Sequence, residues 1–308
     1  MKTKITDLLK GKFIYLIFGV LAVLPIIGLP SYQFYMIERG MQNALVVLSL
    51  VILLGYTGQL SLGHAGLVAV GAYSYGIMCT ILGLPPVVAL IISPVLTAIV
   101  GVILGFPSFK LKGPFLVVIT IAFGEIVRIL VLNAVDITGG PYGMKGYPVL
   151  FSDTAMHYFM LILVFLATFG ANRLSNSYIG LAFKAIREDE VAAELMGVNV
   201  RKFKLLSFVI SAFLAGLSGV LFANLTGYLN PDSFASDTSA AYLLMVVIGG
   251  MTSPVGAVLS ALLVTALPEL LRFLQDWRMI IYGLILFIYV RFYQVINIES
   301  LKKLFKRR

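Results

Sequence analysis

The chain has 308 residues, of which 60% are hydrophobic and 12% charged, and its mean hydropathy is +1.00. Soluble domains carry roughly one-quarter charged residues, so this composition excludes a water-soluble protein. The apolar runs are continuous rather than alternating, which predicts an all-α polytopic membrane protein with about 8–10 transmembrane helices. The net charge of +9 follows the membrane topology predicted below and therefore does not indicate a nucleic acid partner.

The first apolar run, FIYLIFGVLAVLPIIGLP, follows a basic amino terminus with Lys2, Lys4, Lys10 and Lys12. It is longer than the roughly 7 to 15 residues of a signal-peptide core, and no small-residue cleavage site follows it. We therefore interpret it as a retained first span.

Further apolar runs follow with no interval long enough for a soluble domain, which predicts one membrane domain over residues 1–308. The predicted segments are 13–30, 38–54, 62–82, 87–106, 115–135, 156–171, 203–225, 238–250, 254–271 and 278–296. Segments 38–54, 156–171 and 238–250 are short for a full span, so we expect tilted, buried or re-entrant helices there.

The basic residues predict an orientation. With a cytoplasmic amino terminus, strict alternation places most of the 23 Lys and Arg residues on the cytoplasmic side. These are the four amino-terminal lysines and Lys110, Lys112, Arg173, Lys184, Arg187, Arg201, Lys202, Lys204, Arg291, Lys302, Lys303, Lys306, Arg307 and Arg308. Arg39, Lys145, Arg272 and Arg278 are expected outside. Both termini are then cytoplasmic, and the basic tail 297–308 is placed to contact anionic lipid.

The stretch GYTGQLSLGHAGLVAVGAYSYG, residues 55–76, is unusually rich in glycine and polar residues for its surroundings. Polar backbone at membrane depth survives only where protein or a water-filled cavity satisfies it, so we expect Gln59, Ser61 and His64 to face the interior, along a substrate pathway. Two structures fit: a cytoplasmic turn between two spans, or a broken helix whose amino-terminal amides favour a substrate carboxylate. His64 is either a hydrogen-bonded packing residue or a functional titratable group.

Two charges fall within the predicted span 115–135. Glu125 and Arg128 would each cost about 2.5–3.5 kcal/mol in lipid, so both are expected to face protein. Their spacing allows them to pair with each other, or to complement the ammonium and carboxylate of a substrate. Thr138, Gly139 and Gly140 follow this span, where an outer gate or a docking loop is expected.

The longest charged stretch lies in a central cytoplasmic loop, residues 175–202. Glu188, Asp189 and Glu190 are typical of a helix amino terminus and Gly197 of a helix stop, which predicts a short helix over 188–196. This helix either lies in a groove on another protein or is a solvated surface helix.

The string EVAA at 190–193, followed by Gly197, resembles the cytoplasmic EAA loop of ABC importer permeases. AIREDEVAAELMGVNVRKFKLLSFVISAFLAGLSGVLFA is similar in particular to the branched-chain amino acid permease family, of the LivM and LivH type. The motif at 55–76 and the strings LKGPFLVVITIAFGEIVRI, TGGPYGMKG and LLMVVIGGMTSPVGA resemble the same family in its own order. TGGPYGMKG and the long central loop resemble the LivM branch more than LivH.

The resemblance implies the ABC importer permease fold in a bacterial-type inner membrane. It implies inward transport of leucine, isoleucine and valine by alternating access, with a second, homologous permease subunit, two ATPase subunits and an extracytoplasmic solute-binding protein as partners. Coupling to the ATPase then carries over onto Arg187, Glu188, Glu190, Ala192, Ala193 and Gly197.

The sequence contains no G-x-x-x-x-G-K-[ST] phosphate loop, so we expect no enzyme activity and no bound cofactor in this chain, with ATP and Mg on partner subunits. Cys79 is the single cysteine, and nothing indicates a metal site. Two alternatives remain open: an ABC permease for urea, amides or another small polar solute, and an ion-coupled secondary transporter that uses Glu125.

Overall fold

The computed structural model describes residues 18–25, 31–107, 113–150 and 153–270. The chain divides into two compact units, 1–265 and 266–308, and only residues 266–270 of the second are described. The predicted last span 278–296, the basic tail 297–308, Lys110 and Lys112 lie outside the described residues, so a single domain over 1–308 stays a prediction.

The described residues form α-helices joined mostly by short turns. These helices are α1 (18–25), α2 (Ser31–Leu50), α3 (His64–Thr80), α4 (Pro86–Gly105), α5 (Pro114–Asn133), α6 (Val135–Thr138), α7 (Asp153–Ser175), α8 (Tyr178–Glu188), α9 (Glu190–Leu195), α10 (Val200–Thr226), α11 (Ser236–Gly249) and α12 (Pro254–Leu270). A π-helical segment, Val51–Tyr56, continues α2, and 3₁₀ turns occupy Gly140–Tyr142 and Pro231–Phe234. Two short strands, β1 (Met144–Lys145) and β2 (Tyr228–Leu229), pair antiparallel.

Five helices among the described residues are long and apolar enough to cross a membrane: Ser31–Tyr56, Pro86–Gly105, Phe115–Asn133, Thr154–Ser175 and Val200–Thr226. The all-α polytopic fold expected from the sequence is confirmed. Two expectations of short spans were wrong, because α2 with its π-helical segment has 26 residues and α7 has 23. Both helices begin or end in polar turns, such as SYQ and NRLS, which hydropathy assigns to loops. Segment 238–250 is short as expected, since α11 has 14 residues.

Helix α10 lies at the centre and shows the direction of its neighbours. Along α2, Gln42 contacts Ser218 and Thr57 contacts Ser207, so α2 runs antiparallel to α10. Along α3, His64 contacts Ser211 and Tyr75 contacts Asn224, so α3 runs parallel to α10. The chain therefore reverses direction between α2 and α3, which matches the turn between two spans rather than the broken helix.

Small residues allow close packing of α3. A Cβ atom added at Gly71 would lie 2.3 Å from the carbonyl oxygen of Gly216 in α10, and one at Gly66 would lie 2.8 Å from the Cα of Gly124 in α5. Without side chains the backbones approach closely, as in small-residue interfaces of membrane helices. Gly66 and Gly71 thus form packing contacts of α3 with α5 and α10.

Helix α1 is attached to α7 through a backbone carbonyl that Pro25 leaves without a helical donor. Pro25 has no N–H, so the carbonyl of Leu21, four residues earlier, lacks its helical donor. His157 of α7 donates its Nε2 proton to that carbonyl at 3.0 Å and is fully buried. A carbonyl that would be costly in an apolar environment is satisfied, and α1 is held against α7.

Candidate functional site

The reversal between α2 and α3 is a buried polar turn, residues 57–65. The amide of Leu62 donates to Thr120 Oγ1 at 3.1 Å. Thr120 is the seventh residue of α5, so this contact lies roughly 9 Å along that helix from its first residue, at a rise of about 1.5 Å per residue. The turn therefore lies inside the depth spanned by α5 and not at its end.

Gln59 fixes one side of the turn to α10. Its Nε2 donates to Ser207 Oγ at 2.7 Å and to Thr57 Oγ1 at 3.0 Å, and its side chain is almost completely buried. The amide nitrogen thus has two hydroxyl partners in a position where an unbonded donor would be costly. This predicted pathway residue holds the turn in place.

His64 and Ser61 fix the other side. His64 Nδ1 lies 3.0 Å from Ser61 Oγ, and Nε2 lies 2.9 Å from Ser211 Oγ of α10. The imidazole is fully buried, and both ring nitrogens have hydroxyl partners. This geometry is that of a hydrogen-bonded packing residue.

The first amides of α3 also have protein partners. Besides Leu62, the amide of Gly63 donates to Ser61 Oγ at 3.4 Å and that of Ala65 to Ser239 Oγ at 3.0 Å. Side-chain hydroxyls thus occupy donors that would otherwise bind an anion at a helix amino terminus. These three amides are not available to a substrate carboxylate.

A second cluster lies on α5 and contains the two predicted intramembrane charges. Arg128 Nη1 donates to Glu125 Oε1 at 2.8 Å, and its Nη2 donates to Asp232 Oδ1 at 3.1 Å. Ser236 Oγ donates to Glu125 Oε2 at 3.4 Å. The side chains of Arg128, Glu125 and Asp232 are 27%, 41% and 70% exposed, so this ion cluster faces outward from the chain.

The ion cluster and the buried turn lie at one depth, joined by the first turn of α11. Ser236 contacts Glu125, and Ser239, one turn later, contacts the amide of Ala65. The contact between Gly66 and Gly124 brings α3 and α5 together at the same level. Four of the predicted pathway residues, Ser61, His64, Glu125 and Arg128, thus belong to one connected region, in which the last two are partly exposed.

An apolar cavity of about 370 Å³ lies beside the ion cluster, between α3 and α5. Its lining includes Tyr73 and Ile77 of α3, Val127 and Val131 of α5, and Thr138. Val127 and Val131 flank Arg128 along the helix. The arrangement places an ion pair next to an apolar space.

The segment TGGPYGMKG forms a compact loop after α5. Thr138 is buried, and its Oγ1 donates to the carbonyls of Val131 and Ala134 at 2.6 and 2.8 Å. Gly139, Gly140, Gly143 and Gly146 all have positive φ, between 55° and 86°. Because residues with a side chain rarely adopt this conformation, the glycines determine the shape of the loop. Thr138, Gly139 and Gly140 are its structural base.

The central loop contains two helices instead of the one predicted over 188–196. Glu188 is the last residue of α8, so its assignment to a helix amino terminus was wrong. Asp189 is the N-cap of α9, and its carboxylate accepts hydrogen bonds from the amides of Val191 and Ala192. The stop at Gly197 is confirmed: φ is +84°, and the amide of Val198 donates to the carbonyl of Ala193.

Three cations attach α8 and α9 to the membrane helices. Arg187 donates to the carbonyl of Gly55 at 2.6 Å, and Lys184 donates to that of Ser175 at 2.7 Å. Lys204 of α10 contacts the Glu190 carboxylate at 2.5 Å. Lys184, Arg187 and Glu188 also line a cavity of about 490 Å³ beside Gly55. The side chains of the predicted coupling residues Arg187 and Glu190 therefore make contacts within this chain, and Ala193 is buried.

The opposite face of α8 and α9 is apolar and exposed. Tyr178, Leu181, Val191, Leu195 and Met196 are 58–85% exposed. Ala192 and Gly197 also lie on the exposed side. We refer to these five larger side chains as the apolar tip; all five are exposed, and the Tyr178 ring packs edge-on against Phe203.

Several residues of the region were missed in the sequence. Ser207, Ser211 and Ser239 carry no signal of their own, because a serine in an apolar helix is common. Asp232 follows α10 in what looks like an ordinary turn. Arg39 is the ninth residue of α2, with its guanidinium 4.1 Å from the centre of the Phe222 ring, a contact that no local pattern reveals.

The fold and these clusters define an all-α polytopic membrane permease, a transport subunit whose polar groups lie at membrane depth. Residues 33–290 match the family described as branched-chain amino acid transport system / permease component, and the chain belongs to that family. It is accordingly a multi-pass protein of the inner membrane.

The high-affinity branched-chain amino acid transport system permease protein LivM of Escherichia coli (strain K12) is 36% identical over 287 residues, covering 81% of this chain and 68% of the relative. The protein of the same name in Salmonella typhimurium (strain LT2) is 35% identical over the same shares. A probable LivM permease of Methanocaldococcus jannaschii is 27% identical over 183 residues, 57% of this chain and 53% of the relative. No solved structure matches the chain significantly.

Proposed function

We propose that this chain is the permease subunit of an ABC importer that moves branched-chain amino acids inward by alternating access. Its partners are a second, homologous permease in a heterodimer, two ATPases that bind ATP and Mg, and an extracytoplasmic solute-binding protein. Residues 175–202 form the cytoplasmic coupling loop, and both termini are cytoplasmic. Family membership and the names of the relatives support the substrate class.

The observation that carries the proposal is the apolar tip on α8 and α9. Leu195 and Met196 are 83% and 85% exposed, at the end of a helix pair attached through Arg187 and Lys204. Large exposed apolar groups on a firmly attached base are typical of a protein interaction site. An ATPase groove that receives a short helix fits this surface, whereas an ion-coupled carrier has no use for it.

The exposed ion cluster supports a pathway along α5. Only 17% of the residues in the apolar stretch of α5 are buried, yet this stretch includes the charged residues Glu125 and Arg128. Charges at this depth are costly against lipid, so this side faces a water-filled pathway or the second permease. Glu125 complements an ammonium and Arg128 a carboxylate, while the neighbouring apolar cavity suits a branched aliphatic side chain.

Reconstitution tests the proposal. The complex is purified from its native membrane in mild detergent, and its subunits are identified by mass spectrometry. We expect two ATPases, a second permease and a binding protein, and leucine uptake into proteoliposomes that requires ATP.

Each alternative gives a different result. Uptake by this chain without ATP would contradict the proposal and support an ion-coupled carrier. An ATP-dependent complex that transports urea or an amide but not leucine would overturn the substrate and keep the class.

A further inference from the structure

At the π-helical end of α2, the carbonyl of Gly55 accepts a hydrogen bond from another helix. The amide of Gly58 donates to the carbonyl of Leu54 and that of Gln59 to Leu53, at 3.0 and 3.1 Å. The carbonyl of Gly55 instead accepts from Arg187 Nη1 at 2.6 Å. A charged donor to a helix-end carbonyl is among the stronger hydrogen bonds in proteins. The geometry thus ties the last turn of α8 to the π-helical end of α2.

The contact is tight on both sides. A Cβ atom added at Gly58 would lie 3.3 Å from Arg187 Cγ, and one added at Gly55 would lie 1.8 Å from the carbonyl oxygen of Met251. Arg187 therefore packs along the turn, while the 250–253 turn before α12 presses on the other side of Gly55. A displacement of α8 at this point acts on α2 through the hydrogen bond from Arg187 to Gly55 and the packing of the Arg187 stem on Gly58, at the edge of the cavity that Arg187 and Gly55 both line.

The polar turn begins two residues after Gly55. Thr57 and Gln59 bond to Ser207 of α10, and His64 bonds to Ser211. The same segment contacts α5 at Thr120 and α11 at Ser239. A movement of Gly55 thus reaches the helices that also hold the ion cluster. Arrangements of discrete hydrogen bonds between rigid helices are the elements through which coupling is carried.

We propose that Arg187 is the positioning residue that transmits movement of α8 and α9 to the buried turn 57–65, and so to the pathway. The inference rests on the proposed function, in which an ATPase drives α8 and α9. Arg187 acts through the carbonyl of Gly55 and not by contact with the ATPase.

Lys184 provides the matched control. It lies one helical turn before Arg187, lines the same cavity and also bonds to a backbone carbonyl. Its partner Ser175 belongs to α7, which is joined to α8 directly by a short turn. Loss of Lys184 removes the same charge but leaves the connection from α8 to α2 intact.

The first experiment measures leucine uptake per ATP hydrolysed in the reconstituted complex. Arg187→Gln is expected to keep the ATPases bound and hydrolysing, while uptake per ATP falls about tenfold or more, since small errors of position have effects of this size. Lys184→Gln is expected to keep the wild-type ratio. A wild-type ratio in Arg187→Gln, or an equal loss in Lys184→Gln, overturns the proposal. Absence of ATPases from the wild-type complex would instead contradict the proposed function.

A second experiment restores the connection covalently. The Cβ at Gly58 would lie 3.7 Å from Arg187 Cβ, within the roughly 3.5–4.5 Å of disulfides. In a Cys79→Ser background, Arg187→Cys is expected to lose coupling, and Gly58→Cys/Arg187→Cys is expected to regain it on oxidation and lose it on reduction. Gly58 has a φ of +72°, which strains any side chain, so Gly58→Cys in the same background is one control and is expected to stay coupled. Cys79→Ser alone, oxidised and reduced, is the other. A crosslinked protein that stays uncoupled would rule out transmission through this contact.

Discussion

Lys204 of α10 and Glu190 of α9 form a short ion pair in which the lysine side chain is 3% exposed and the glutamate 28%. The pair joins the coupling region to the central helix of the fold. The lysine is almost completely buried, so its ammonium is stabilised by the carboxylate partner.

Removal of Glu190 is expected to destabilise the protein more than removal of Lys204. Glu190→Gln deprives a buried ammonium of its carboxylate, at a cost of about 3 kcal/mol, the lower end for a broken buried pair. Lys204→Met leaves a carboxylate that reaches water and should cost less. Thermal unfolding in detergent measures both. A larger loss for Lys204→Met would contradict the assigned role of burial.

Arg128→Gln is expected to reduce leucine uptake about tenfold, a change of about 1.4 kcal/mol, with a much smaller effect on stability. The pair with Glu125 is partly exposed, and such pairs contribute about 0–1 kcal/mol to folding. Uptake and the unfolding midpoint are measured on the same sample. Full uptake in Arg128→Gln would exclude a substrate contact.

Gly71→Ala is expected to destabilise the packing of α3 on α10 by about 1–3 kcal/mol, the usual cost of overpacking. The new methyl group would lie 2.3 Å from the carbonyl oxygen of Gly216. Gly170→Ala in α7 is the control, because no heavy atom lies within 4 Å of its added Cβ. Equal unfolding midpoints for the two variants would show that α3 has room to move.

Ser211→Ala is expected to cost about 1–3 kcal/mol, because His64 Nε2 would lose its hydroxyl partner in a fully buried position. Ser207→Ala should cost less, since Gln59 Nε2 keeps its bond to Thr57. Chemical or thermal unfolding ranks the two variants. The reverse order would show that Gln59 matters more to the turn than His64.

Leu195→Ser/Met196→Ser is expected to weaken ATPase binding without unfolding the permease. Both side chains are more than four-fifths exposed, so their loss removes an interface and not a core contact. Co-purification measures how well the ATPases stay bound to the permease. Tyr142→Ser, at an exposed tyrosine in the glycine loop after α5, is the control. Undiminished recovery of the ATPases would place the docking surface elsewhere.

The sequence located each of the five helices that are long enough to cross a membrane in the described part of the chain, because such helices are recognised by continuous hydropathy. The start of α2 was missed because polar residues of this helix, such as Glu38, are buried in the fold, a condition that only the three-dimensional structure supplies. The pair Glu125 and Arg128 was found from helical spacing. Its partner Asp232 is 104 residues from Arg128, and no local pattern connects them.

The coupling loop, residues 175–202, likewise combines features that local sequence predicts with features that depend on contacts distant in sequence. Asp189, Glu190 and Gly197 are local helix signals, and the stop at Gly197 was predicted from them. Helix α8 was missed because the helix prediction began at Glu188; Phe183 and Ile186 form part of its buried face. Arg187 points toward the membrane helices because it donates to the Gly55 carbonyl at the π-helical end of α2. Hydropathy and motif spacing do not reveal this contact.

The glycine loop after α5 limits how this protein can diversify. The positive φ angles of Gly139, Gly140, Gly143 and Gly146 require glycine, and the burial of Thr138 restricts that position. Substitutions at these five positions are therefore expected to destabilise the loop. Tyr142, 85% exposed, and Lys145 remain open to change. Libraries intended to give the loop a new binding preference should therefore randomise these two positions and preserve the glycine frame.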